Sequence, residues 1–119
     1  MSTDRELLQA AAKAAGEVIR WADAPTSFNY SGFLRKTEHL YPSGFPIEVR
    51  WNPLTGDGDA LRLAVKLGIK IEPFQSSSTA FATAPGGAYA DEEYGCDPYA
   101  ATRRAIVRAA AALGEQHDQ

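Results

Sequence analysis

The 119-residue chain is poor in the side chains that carry redox and metal chemistry: one cysteine, two histidines and one methionine. A lone cysteine, Cys96, allows no internal disulfide, which points to a reducing cytoplasm. Cys96 with His39 and His117 falls one ligand short of a closed Cys/His zinc site, and no metal or other cofactor is expected. A basic excess is also missing. Twelve Lys and Arg stand against fifteen Asp and Glu, for a net charge of −3, whereas proteins that grip a phosphate backbone usually carry the opposite balance. No apolar run approaches the roughly 20 residues that cross a bilayer. The Met1-Ser2-Thr3-Asp4 start lacks the features of a signal peptide, so no membrane association is expected.

What remains is an ordinary core-forming inventory, 45% hydrophobic and 23% charged, suited to one domain over residues 1–119. Thr3-Asp4-Arg5-Glu6 reads as a capping box. Leu7, Leu8, Ala11, Ala14 and Ala15 follow at helical spacing, and Gly16 is a left-handed stop. Val18 to Trp21 is too short for a helix and reads as a strand. Residues 23–46 form an excursion rich in proline, glycine and aromatics, with one short strand around Tyr30 to Lys36. Ile47-Glu48-Val49-Arg50-Trp51 alternates cleanly and predicts a strand. Asp57-Gly58-Asp59 offers capping carboxylates for a second helix, in which Ala60, Leu61, Leu63, Ala64, Val65 and Leu67 make a buried arc. Gly68 stops it. Ile69 to Phe74, then Ala80 to Thr83 and Ala88 to Ala90 about a Pro85-Gly86-Gly87 turn, read as strands. Asp97 as N-cap and Pro98 at the first position start the last helix. Tyr99, Thr102, Ile106, Ala109, Ala110 and Leu113 share one of its faces, Gly114 ends it, and residues 115–119 are a frayed tail. The expected fold is α+β in two layers, order α-β-(β)-β-α-β-β-β-α, with three helices on a short-stranded antiparallel or mixed sheet.

Few residues invite chemistry. Cys96 could act as a nucleophile with His39 or His117 as base, but Asp97 beside it disfavours the thiolate, and a plain loop thiol is the expected reading. Asp57-Gly58-Asp59 lacks the further oxygen ligands of a calcium loop, since position 68 is Gly68 where a glutamate is needed. Gly86-Gly87 lacks the lysine and the helix of a phosphate loop. No catalytic residue is expected, and the chain is not read as an enzyme.

Surface candidates are of two signs. Asp91, Glu92 and Glu93 could imitate phosphate charge toward a basic groove on another protein. Arg103, Arg104 and Arg108 could contact nucleic acid, although Asp97 and Glu115 can partner Arg104 and Arg108 and make an ordinary solvated helix face. Phe28, Tyr30, Phe33 and Tyr41 in the excursion either fill core or anchor a partner or a homodimer contact.

Trp51-Asn52-Pro53-Leu54-Thr55-Gly56-Asp57-Gly58-Asp59-Ala60 and on to Ile69 resembles small proteins of tailed bacteriophages and prophages. So does Asp97-Pro98-Tyr99-Ala100-Ala101-Thr102-Arg103-Arg104 through Ala110, and more weakly Glu6-Leu7-Leu8 through Gly16. About half the chain is covered, and the layout is similar to the NinX-like phage proteins, a family without an established biochemical role. The resemblance implies a phage or prophage product made in a bacterial cytoplasm and carries over no site residue. Small products of that class often bind and block host machinery, defence systems such as CRISPR–Cas included. The expected role is therefore non-enzymatic: binding and modulating a host protein, through Phe28, Tyr30, Phe33, Tyr41, Asp91, Glu92 and Glu93. The alternative is a small nucleic-acid-associated regulator using Arg103, Arg104 and Arg108.

Overall fold

The Thr3 hydroxyl accepts from the Glu6 amide at 3.1 Å while the Glu6 carboxylate accepts from the Thr3 amide at 3.3 Å, which starts helix α1 (Asp4–Ala15). Gly16, at φ 70°, ends it. The computed structural model describes residues 3–23 and 31–116. Within them follow β1 (Ile19–Ala22), β2 (Gly32–Leu40), β3 (Pro46–Trp51), α2 (Asp57–Leu67), β4 (Lys70–Phe74), β5 (Thr79–Thr83), a 3-10 turn (Pro85–Gly87), β6 (Tyr89–Glu93) and α3 (Pro98–Gln116). The fold is α+β, in the order expected from the sequence.

The strands divide into two antiparallel three-stranded sheets, β1-β2-β3 and β4-β5-β6. The division follows the chain: α2 stands between β3 and β4, the last strand of one sheet and the first of the other. In the first sheet, Trp21, Phe33 and Trp51 lie side by side across the three strands. Phe33 and Trp51 are buried, and Phe33 meets Trp21 edge-on at 5.0 Å. The Arg5 guanidinium of α1 stacks over the Trp21 ring at 4.1 Å, a cation–π contact that ties helix to sheet.

Helix α3 is the hub. It packs on α1, lies directly over β5 and β6, and touches α2. Ala101, Ala105, Ile106, Val107, Ala109, Ala110 and Ala111 are all buried, so burial runs most of the way round the helix rather than along one stripe. The Asp97 carboxylate accepts from the Tyr99 and Ala100 amides at 3.0 and 3.2 Å, the N-cap that its position predicts.

Several local expectations change. The sequence places the end of the last helix at Gly114 and a frayed tail at 115–119, but α3 continues to Gln116. A Cβ on Gly114 would stand 2.3 Å from the Ala10 carbonyl oxygen, so this glycine serves a close helix crossing, not a helix end. Asp57 and Asp59 do not cap α2. Its N-cap is Gly56, without a side-chain bond. Asp59 accepts instead from the Asn52 amide at 2.9 Å and from Arg62 at 2.6 Å, while Asp57 holds Arg103 at 2.7 Å. In α2, Ala60, Leu63 and Ala64 are buried, but Leu61 and Val65 stand 59% and 74% exposed.

The strand expected at Tyr30 to Lys36 is the nine-residue β2, turning through residues 41–45 into β3. Phe28, Tyr30 and His117 lie outside the described residues.

Candidate functional site

Leu61 and Val65 are four residues apart, hence neighbours on one helix face. Beside that face, between α2, β4 and the start of α3, runs an open groove of about 370 Å3. Leu61, Ile71, Pro73, Tyr94, Tyr99 and Ile106 supply most of its apolar wall. Tyr99, in the first turn of α3, is 72% exposed. The Arg103–Asp57 ion pair closes the rim, and the Arg103 Nε also donates to the Leu54 carbonyl at 2.8 Å.

A second apolar surface lies at the far end of the β2–β3 hairpin. Leu40, Tyr41 and Phe45 are all more than half exposed. The turn is held by the Tyr41 amide donating to the Phe45 carbonyl at 2.8 Å and the Gly44 amide donating to the Tyr41 carbonyl at 2.9 Å. On the adjoining sheet face Val18, Lys36, Phe45 and Pro46 surround the Arg20–Glu48 pair. Its two hydrogen bonds are 2.7 and 2.9 Å, a forked geometry that suits guanidinium and carboxylate. The hydrogen bond from Arg20 holds the Glu48 carboxyl below its ordinary range, against a smaller upward push from burial, and Glu48 in turn raises Arg20.

The third surface is the outer face of β4-β5-β6. The register sets three cross-strand rows on it: Lys70, Thr83 and Tyr89; Glu72, Phe81 and Asp91; Phe74, Thr79 and Glu93. The inner face of the same strands carries Ala80, Ala82 and Ala90, all buried beneath α3. Small residues thus face the core and rings face out. Phe74 meets Phe81 edge-on at 5.6 Å.

The residues singled out from sequence scatter across this framework. Phe33 is buried core and is withdrawn from any partner surface. Tyr41 is at the exposed hairpin end. Asp91 and Glu93 lie on the outer sheet face, while Glu92 points the other way, bonded to Arg108 and 3.9 Å from Arg104. Arg104 also holds Asp4 at 3.0 Å, and Arg108 donates to the Asp91 carbonyl at 2.9 Å. The basic strip and the acidic cluster therefore partly neutralise one another. Cys96 is exposed in the turn before α3 and His39 is exposed on β2. Among the described residues, no three His, Cys, Asp or Glu side chains gather as a metal site would need, and no helix is long and apolar enough to cross a membrane.

Leu61, Val65, Tyr99 and Phe81 were not foreseen as surface. The signal that bears on Phe81 is the small–large alternation of Ala80-Phe81-Ala82 and Ala88-Tyr89-Ala90; nothing local marks Leu61 or Val65. No family model, curated protein or solved structure matches this chain, so its role is argued from its own residues.

Proposed function

We propose that this protein is a non-enzymatic accessory protein of the phage or prophage kind its sequence resembles, and that it binds and modulates a host protein, as an inhibitor of a defence system would. The observation that carries the reading is the groove lined by Leu61 and Tyr99, with Val65 one turn further along the exposed face of α2. Three large apolar side chains stand mostly in solvent beside a concave apolar wall, at a cost that covering by a partner would recover. Tyrosine in such a setting is a frequent interface anchor. Against the nucleic-acid alternative, Arg103, Arg104 and Arg108 each already hold a carboxylate of this chain, which lowers the positive field a phosphate backbone would meet.

Affinity capture from bacterial lysate with the tagged protein and with the Leu61→Glu/Val65→Glu double variant tests it. The expected result is a stoichiometric host protein whose recovery falls at least tenfold with the variant, while the variant's thermal unfolding stays close to that of the parent. Nothing captured above background, or capture indifferent to the variant, would sink the reading.

A further inference from the structure

We propose that the outer face of β4-β5-β6 is a docking platform for an extended, arginine-bearing segment of a partner protein, with Phe81 as its centre. The inference rests on the protein-binding reading above but on a different surface. Its starting point is an inversion: β5 and β6 bury alanines and turn Phe81 and Tyr89 away from the core, and β4 does the same with Phe74. Phe81 is half-buried, Phe74 is 44% exposed and Tyr89 is 55% exposed.

The charge around the rings selects the occupant. Glu72 and Asp91 flank Phe81 directly across its two neighbouring strands, and Glu93 stands one row along. The only cation in these rows is Lys70, which stays 3.7 Å from Glu72 and is largely exposed. Among the described residues no ion pair holds Asp91 or Glu93. Neighbouring strands are about 4.8 Å apart. A guanidinium lying flat on the Phe81 ring would then have a carboxylate on each side within reach of its N–H groups, adding charge-assisted hydrogen bonds to cation–π stacking. Phosphate is repelled by the same carboxylates. A lysine ammonium would meet the charge but offers no planar fork.

The test is titration of 15N-labelled full-length protein with a hexa-arginine peptide, with hexa-lysine and a single-stranded oligonucleotide as comparators. Amide shifts should be confined to residues 70–74, 79–83 and 89–93, and hexa-arginine should bind several-fold more tightly than hexa-lysine. Asp91→Asn/Glu93→Gln should weaken hexa-arginine about tenfold at low salt. Phe81→Leu, which keeps bulk without the π face, should weaken it about three- to fivefold, with the wholly surface change Tyr89→Ala as a second probe should Phe81→Leu fail to fold. Shifts elsewhere, equal binding by hexa-lysine, insensitivity to these variants, oligonucleotide binding on the same residues, or self-association through this face would each overturn the proposal. A captured host protein that survives Asp91→Asn/Glu93→Gln but not the α2 variant keeps the groove reading and removes this platform. Peptide binding here with no protein captured through the α2 face keeps the platform and removes the groove as the docking site.

Discussion

The two sheets solve the same packing problem with opposite inventories. In β1-β2-β3 the core-facing row is Trp21, Phe33 and Trp51; in β5 and β6 it is alanine, with Ile71 of β4 beside Ala82. The difference follows from what covers each sheet. Helix α3 lies directly over β5 and β6, and a helix can approach a sheet closely only across small side chains. Among the described residues no helix comes so near the first sheet, and large rings span the gap to α1 and α2, with Arg5 over Trp21 and Trp51 beside Leu63 and Ala15. Rings serve as spacers in one sheet and as surface in the other. A close helix–sheet contact thus has a consequence for function: it leaves the bulky half of an alternating strand in water.

The largest expected effect breaks this comparison on the first sheet. Trp51→Ala should cost about 4 kcal/mol in denaturant unfolding, because it empties a ring-sized volume between sheet and helices. Ala82→Leu, at a fully buried position under α3, should cost about 2 kcal/mol for the opposite reason, overpacking. If Ala82→Leu were neutral, α3 would not be held at alanine distance. Gly114→Ala sharpens the same point for the α1–α3 crossing. Helix propensity alone would make it stabilising by about 1 kcal/mol, but the added methyl would sit on the Ala10 carbonyl oxygen. A net loss of about 1–2 kcal/mol is expected, and a raised melting temperature would contradict the close crossing.

The smallest effect concerns pH and the exposed end of the first sheet. The Glu48 carboxyl is lowered by its hydrogen bonds from Arg20. A depressed carboxyl contributes stability that is complete above its unfolded-state value and is lost as pH falls through the folded one. Glu48→Gln should therefore flatten slightly the acid limb of stability against pH and leave neutral and alkaline behaviour in parallel with the parent. An unchanged acid limb would mean that the fork adds nothing in solution, as many exposed ion pairs do.

Much of the local architecture was legible in the sequence because its causes are local. The Thr3–Glu6 capping box, the Asp97 cap before Pro98 and the left-handed glycines at 16 and 68 act within a few residues of themselves. Gly114 was misread because a glycine near a helix end looks like a stop whether or not another backbone passes beside it. Asp57 and Asp59 were misread for a similar reason: carboxylates before an apolar helix suit a cap, but Arg103 and the Asn52 amide reached them first. The candidate surfaces were half legible. Tyr41, Asp91 and Glu93 are exposed, Phe33 is core, and Glu92 is turned toward the arginines of α3.

By itself the chain determined the order of helices and strands and most of their starts and stops, since capping, φ preferences and alternation are properties of neighbouring residues. In β4-β5-β6, tertiary structure alone decided which face went inward. Alternation creates two faces without ranking them, and a strand of alanines and aromatics can bury either. The close seat of α3 buried the alanines, and with that choice Phe81, Tyr89, Asp91 and Glu93 came to share one outward surface.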